Sequence, residues 1–305
     1  MTDIAGYKKI ISDTFSNELR IDNFALLGKG KSSLIFIAND EIVFKVPLQN
    51  EGDIARWQQN EAVVLRFLEG KLPGASLVDI EIPRILYTAT SKCGAYIIGE
   101  TFLSGTTLSY ELYDTFDEKI KNDILRQLGR IVRSLHEAGG NDPSWLRCDH
   151  QETLDDIMEE FYERFSDKVR IVFSCNEIEK IERIAEHYKE VSLLYPVKPV
   201  LCHNDLHFYN LMFDTESKQI IGMLDFGCAG YDEPARDWHY YFDSKYVLEG
   251  YGDNGDEFFL VRQRFHALSW KLCTLNDELT NEQKLSESLG YIRKYILEME
   301  EKLNS

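Results

Sequence analysis

The sequence is short of several things. No two of its six cysteines (Cys93, Cys148, Cys175, Cys202, Cys228 and Cys273) form a C-x-x-C pair, which removes a zinc or dithiol redox signature. They read as free, mostly buried thiols of a reducing compartment. No run of 18 apolar residues exists, so no helix is expected to cross a membrane. The opening stretch MTDIAGYKKIISDTF has neither the apolar segment nor the cleavage site of a secretory signal, and a cytoplasmic location is expected. Positive charge is scarce: 34 Lys and Arg stand against 52 Asp and Glu, a net charge of -18. That balance argues against nucleic acid and against an anionic membrane as partners. It suits a cationic small molecule, or simply a soluble acidic surface. Repeats and low-complexity segments are also missing.

What is there suits one large or two modest domains: 305 residues, 44% of them hydrophobic. A monomer is expected. Ile4, Tyr7, Ile11 and Phe15 share one helical face. FALLGKGKSSLIFIAND (24–40) reads strand, turn, strand, and EIVFKVP (41–47) adds a third strand after the tight turn at Asn39-Asp40. A helix is expected over 53–70, with Ile54, Trp57, Val64, Leu65 and Leu68 as its buried stripe and Gly70 at its end. Strands follow at 84–88 and 94–103, and Ser104-Gly105 breaks the pattern. Beyond it, Thr115-x-x-Glu118 reads as a capping box opening a helix with Ile120, Ile124, Leu128, Ile131 and Leu135 on one face, ended by Gly139-Gly140. Two helical stretches are expected within 151–191, and more over 257–274 and 281–303. The reading is α+β: an N-terminal nucleotide-binding lobe (1–100), a hinge (101–106) and a helical C-terminal lobe (107–305).

Residues 201–227, LCHNDLHFYNLMFDTESKQIIGMLDFG, carry two polar clusters joined by a ribbon. Leu211 to Phe213 and Ile220 to Leu224 flank a polar turn, so the ribbon's two ends should meet. Asp205 and Asn210 would then face Asp225. Three hard oxygen groups around one point suit Mg²⁺ and a phosphate chain, although either Asp alone could merely cap a turn. His203 could be a base or a metal ligand, but structural support for the loop holding Asp205 is favoured. Asp237 is a candidate partner of that loop.

Gly28-Lys29-Gly30-Lys31-Ser32-Ser33 lies between two strands. Its small residues would let backbone N–H groups approach phosphate oxygens, yet taken alone an ordinary hairpin turn is the favoured reading. It is not a P-loop, which runs into a helix. Lys45 sits among Val43, Phe44 and Val46. Either it faces water, as edge-strand lysines do, or it offers a cation to the α- and β-phosphates, held by Glu61 of the following helix.

This set, the Gly-rich turn, Val43-Phe44-Lys45, Glu61, His203-Asn204-Asp205 with Asn210, and Asp225-Phe226-Gly227, resembles the protein-kinase signature in order and spacing. It departs in having H-N-D for H-R-D, only 20 residues between Asp205 and Asp225, and no A-P-E. Those departures resemble the aminoglycoside phosphotransferase and choline kinase superfamily. Lys45-Val46-Pro47, the Leu201–Asp205 run, and Asp225-Phe226-Gly227 followed by Glu233-Pro234-Ala235-Arg236-Asp237 look most like the 2″-aminoglycoside phosphotransferases.

The resemblance implies a protein-kinase-like two-lobe fold, a small β-rich lobe before a larger α-rich one. It implies Asp205 as the group that orients or deprotonates the acceptor hydroxyl, and Asn210 and Asp225 as holders of Mg²⁺. Lys45 with Glu61 would contact the phosphates of ATP or GTP. The backbone of Thr101 and Leu103 would hydrogen-bond the purine, with Glu100 as a charged gatekeeper beside it, and the turn with Ser32 and Ser33 would cover the triphosphate. An acidic stretch with aromatics, represented by Glu233, Asp237, Trp238 and Trp270, would receive a cationic aminoglycoside, although a solvated helix face with core aromatics reads as well. A macrolide, choline or sugar kinase and a non-catalytic nucleotide-binding regulatory module are the rivals.

Overall fold

The structure is a computed structural model that describes residues 3–16, 18–48, 53–69, 71, 80–140, 144, 146, 153–238, 245–253 and 255–303. Gly70, expected to end the second helix, and Cys148 lie outside the described residues. The chain divides into two compact units. One comprises Met1–Asp149, Val200–Tyr231 and Lys245–Gly252; the other comprises His150–Pro199, Asp232–Ser244 and Asp253–Ser305. The expected hinge at 101–106 therefore lies inside the first unit.

The first unit opens with helix α1 (Ile4–Thr14), whose first turn is capped by the Asp3 carboxylate accepting from Gly6 N. Strands β1 (Phe24–Lys29), β2 (Ser33–Ala38) and β3 (Ile42–Pro47) follow, then helix α2 (Asp53–Leu68), β4 (Ile85–Thr90) and β5 (Tyr96–Thr101). The five strands form an antiparallel sheet in the order β1-β2-β3-β5-β4. Strand periodicity sorts its faces. Phe36, Phe44, Val46 and Ile97 pack with Ile11 and Phe15 into one core. Alternation places Val43, Lys45, Ile98 and Glu100 on the opposite face, where Glu61 of α2 meets Lys45.

The buried stripe of α2 differs from the one its sequence suggests. Trp57 is 42% exposed, while Gln58, Asn60 and Glu61 are buried with Ala62, Val64, Leu65 and Leu68. The helix is rotated towards its polar residues because each has a partner: Gln58 on Ser33, Asn60 on two loop carbonyls, Glu61 on Lys45.

Strand β6 (Thr106–Thr107) and helices α3 (Tyr110–Asp114) and α4 (Glu118–Ala138) come next. Asp117, not Thr115, caps α4. Asp117 is extended and its carboxylate accepts from Ile120 N at 2.9 Å. Thr115 is instead in the right-handed helical region as the C-terminal cap of α3, its hydroxyl bonded back to Leu112 O.

The chain continues through α5 (Leu154–Arg164), α6 (Asp167–Arg170), α7 (Cys175–Leu194), β7 (Val200–Cys202), β8 (Leu211–Asp214), β9 (Gln219–Met223), β10 (Gly230–Asp232), α8 (Lys245–Tyr251), α9 (Phe259–Glu278) and α10 (Glu282–Leu303). Strands β8 and β9 form the expected ribbon, joined by β6 into a three-stranded sheet. Helices α4 and α8 touch backbone to backbone: a Cβ at Gly129 would fall 2.1 Å from Val247 O, and one at Gly250 2.0 Å from Arg126 O. The second unit is helical. Phe161, Phe165, Tyr188, Phe265, Leu268, Leu272, Ile292 and Ile296 form its core, and its 153–194 span holds three helices rather than two. Among the described residues no helix is long and apolar enough to cross a membrane.

Candidate active site

All the residues expected at the catalytic centre fall in the first unit. Lys45 and Glu100 occupy one face of neighbouring strands, because Val43 pairs with Glu100 and Lys45 with Ile98. That register makes the two side chains diagonal neighbours. The Lys45 ammonium lies 2.5 Å from Glu61 Oε1 and 3.3 Å from Glu100 Oε1. Glu61 Oε1 also accepts from Phe226 N at 3.2 Å, which ties the ion pair to the Asp225-Phe226-Gly227 turn. Glu100 Oε2 is buried without a hydrogen-bond partner.

Charge is crowded there. Burial works against the Lys45 ammonium, but Glu100, Glu61 and Asp225 outweigh it and hold the lysine firmly protonated. Burial raises both neighbouring carboxyls against the pull of Lys45, and Glu61 is pushed up to about 8. One ammonium faces two buried carboxylates, so burial and their mutual repulsion push both Glu61 and Glu100 towards the protonated form.

Two left-handed residues aim the polar groups. Asn204 has φ 63° and Asp225 φ 65°, conformations that side chains with a Cβ adopt at a cost. Asn204 is fixed by its amide donating to Cys228 O. His203 is fully buried; its Nε2 lies 2.9 Å from Leu224 O and its ring packs on Phe226 at 4.9 Å. The histidine thus bridges the Asp205 loop and the residue preceding Asp225. Asn210 donates to Asp205 O at 2.8 Å, and Leu224 N donates to Asn210 O at 2.8 Å. The loop ends therefore meet as the ribbon pattern requires.

Burial raises the Asp205 carboxyl above its ordinary range, with Asp225 adding to it and His207 and His203 opposing. His207 Nε2 stands 3.7 Å from Asp205 Oδ2. Asp225 is exposed, and among the described residues its carboxylate has no hydrogen bond. The amide nitrogen of Asn210 is used by Asp205, so its oxygen is the atom left for a ligand. An amide oxygen and an unengaged carboxylate are hard donors of the kind Mg²⁺ takes.

The segment after β5 presents main chain. Thr101 N is occupied by Arg84 O at 3.0 Å and Phe102 N by Glu41 O at 2.8 Å. Leu103 is 8% exposed, yet among the described residues neither its N–H nor its C=O has a partner. Main-chain groups left without partners suit a planar ligand's edge. In the Gly28–Ser33 turn, Gly30 N bonds Ser33 O at 2.9 Å and the Ser33 hydroxyl is held by Gln58 at 3.0 Å, which leaves Ser32 the less engaged of the two.

The residues expected to receive a substrate lie in the second unit. Glu233 belongs to an internal network rather than to an open acidic face. It pairs with His266, accepts from the Tyr188 hydroxyl at 2.9 Å and lies 3.3 Å from Arg262 Nη1, while Arg262 also holds Asp256 at 3.0 Å. Burial works against the Glu233 carboxylate, but His266, Arg262 and Tyr188 together hold it below its usual range. Asp237 and Trp238 are fully buried. Trp270 is half-buried, with Lys271 over its ring at 4.7 Å.

Two parts of the site escape sequence reading: the Lys45–Glu100 contact and the Asn60 clamp. Asn60 donates to Gly227 O at 2.9 Å and Ala229 O at 2.7 Å, fixing α2 to the Asp225 turn. The helical spacing of Asn60 and Glu61 relative to Val64 and Leu65 was the available signal. No local pattern reveals the pairing of β3 with β5.

A model of the phosphotransferase enzyme family matches residues 27–257. Among solved structures, the chain resembles aminoglycoside 2'-phosphotransferase-IIIa in its GDP complex, at 18% identity, covering 97% of this chain and 99% of that one with a TM-score of 0.75. It resembles the gentamicin complex of APH(2")-IIa at 19% identity, with 96% of each chain covered and a TM-score of 0.65. Macrolide 2'-phosphotransferase MphH from Brachybacterium faecium matches at 15% identity, 94% and 96% coverage, and a TM-score of 0.62. These likenesses establish a shared fold.

Proposed function

The chain belongs to the phosphotransferase enzyme family, and on that premise we propose that it transfers the γ-phosphoryl group of ATP or GTP to a hydroxyl of a cationic small molecule, an aminoglycoside foremost. The observation that carries this reading is the convergence, within one unit, of Lys45 on Glu61, of Asp205 on Asn210, and of Asp225 beside both. Lys45 contacts the α- and β-phosphates. Leu103 offers main-chain groups to the purine, with Thr101 beside it, and the Ser32-Ser33 turn covers the triphosphate. Asn210 and Asp225 would hold Mg²⁺, which when bound would neutralise charge on the phosphate oxygens.

Asp205 accepts the proton of the acceptor hydroxyl as that oxygen bonds to the γ-phosphorus. The bond from the γ-phosphorus to the β–γ bridging oxygen breaks, and a nucleoside diphosphate leaves. Catalysis of this kind rests on positioning and electrostatics. The net charge of -18 favours a cationic acceptor. The structural likeness to a macrolide 2'-phosphotransferase supports a macrolide as the second acceptor class.

Nucleotide turnover measured with kanamycin, a macrolide and choline, each with ATP and with GTP, tests the reading. Kanamycin-stimulated turnover with a phosphorylated product supports it. Turnover with only choline or the macrolide overturns the acceptor, and nucleotide binding without turnover would favour a regulatory module.

A further inference from the structure

The catalytic loop carries side chains that phosphoryl transfer itself does not use. Tyr209 immediately precedes Asn210 but points the other way: Asn210 is buried, while Tyr209 is 44% exposed. The Tyr209 hydroxyl donates towards both carboxylate oxygens of Glu111 on α3, at 3.2 and 3.4 Å. Tyr110, itself 39% exposed, meets Tyr209 edge-on with ring centroids 5.6 Å apart. Phe208 beneath them is buried and takes Tyr110 at 4.9 Å and Tyr113 at 4.6 Å, which anchors α3 to the loop. His207 links this surface to the chemistry, its ring 6.0 Å from that of Tyr209 and its Nε2 3.7 Å from Asp205 Oδ2.

Packing of Phe208 accounts for the position of α3. It does not account for two neighbouring tyrosine rings left half-open, one of them bonded through its hydroxyl to a carboxylate. Hydrogen bonds from its own backbone, from Ser109 and from Tyr209 hold the Glu111 carboxyl below its usual range, so it stays anionic. Among the described residues Glu111 has no basic partner. An anion held by one tyrosine hydroxyl, with no basic partner among the described residues and a second tyrosine ring beside the first, suits an ammonium group carried on a ring: the charge pairs with the carboxylate and the ring lies on tyrosine. Glu233 and Asp237 fit this task less well, because Asp237 is buried and the Glu233 carboxylate is already engaged by His266, Arg262 and Tyr188.

Taking transfer to a cationic acceptor as given, we infer that Glu111, Tyr209 and Tyr110 form the surface that receives an amino-bearing ring of the acceptor, beside the hydroxyl held at Asp205. Glu111 sets the preference for charge, and the two tyrosines set the preference for a ring. These are specificity residues and take no part in the proton transfer.

The test is steady-state kinetics of the full chain with kanamycin as acceptor, on wild type, Glu111→Gln, Tyr209→Phe and Tyr209→Ala, with thermal unfolding recorded for each. Glu111→Gln is expected to raise the kanamycin KM about tenfold, to weaken its salt dependence, and to leave kcat and the nucleotide KM within about twofold, as loss of one charged contact does. Tyr209→Phe keeps the ring and should change the KM little, whereas Tyr209→Ala should raise it. A lowered unfolding midpoint with an unchanged kanamycin KM means that Glu111 only steadies α3 and overturns the inference, as does a rise confined to the nucleotide KM. If wild type turns over kanamycin normally and Glu111→Gln does too, the surface assignment alone fails. If wild type does not phosphorylate kanamycin, the acceptor reading fails and this assignment falls with it.

Discussion

Lys45 and Glu100 face one another across the β3–β5 pair, ammonium to carboxylate at 3.3 Å, although Lys45 already has Glu61 at 2.5 Å. Two buried carboxylates therefore share one cation, and one oxygen of Glu100 is left without a partner. Removing that surplus anion should help the empty protein. Glu100→Gln is expected to raise stability by about 1 kcal/mol at neutral pH and to lower the nucleotide KM, because Lys45 is then freer for phosphate. Chemical denaturation and nucleotide kinetics check the two outcomes separately.

The same cluster gives stability a pH dependence of defined sign. Glu61 and Glu100 have carboxyls raised above the ordinary 4.5, so between that value and their raised values the folded state binds more protons than the unfolded chain. Stability then falls as pH rises, over a window that for Glu61 extends from about 4.5 to about 8. Denaturation midpoints across this range should decline with pH for wild type and decline less for Glu100→Gln.

Glu233 behaves in the opposite sense. Its carboxyl is held below the ordinary value by His266 and Arg262 despite burial. Its contribution is full above about 4.5 and is lost as pH falls through the lowered value. Glu233→Gln should cost about 3 kcal/mol at pH 7 by leaving Arg262 and His266 poorly matched. Urea unfolding at pH 7 measures it, and the loss should shrink under acid conditions.

The contact of α4 with α8 predicts a steric effect. Gly250→Ala would place a Cβ 2.0 Å from Arg126 O, a backbone atom that cannot move aside, and should cost about 3 kcal/mol. Gly290→Ala, on the exposed side of α10 with nothing within 4 Å, should instead gain up to about 1 kcal/mol from helix propensity. The pair of thermal midpoints should move in opposite directions.

Much of this was legible locally. The alternation in IVFKVP places Lys45 opposite its apolar neighbours, and the apolar–polar–apolar pattern of 211–224 announces the ribbon that joins Asn210 to Asp225. What failed needed information from distant segments. Trp57 reads as a core residue of α2, but the helix turns Gln58, Asn60 and Glu61 inward because Ser33, Gly227 and Lys45 wait there. Thr115-x-x-Glu118 has the letters of a capping box, yet Asp117 has the extended backbone that a cap requires. Glu233 reads as a surface acid because its partners Tyr188, Arg262 and His266 lie 45, 29 and 33 residues away. Register between non-adjacent strands and pairing between distant helices are not written in any local spacing.

The most direct test of the phosphotransfer account compares wild type with Asp205→Asn. Each is incubated with nucleotide, Mg²⁺ and kanamycin, and phosphorylated kanamycin is quantified by mass spectrometry alongside nucleotide affinity. The account predicts product with wild type, a loss of about 10³-fold in kcat for Asp205→Asn, as for removal of a general base, and nearly unchanged nucleotide binding. Full phosphotransfer by Asp205→Asn, or no product from a wild type that binds nucleotide, would contradict it.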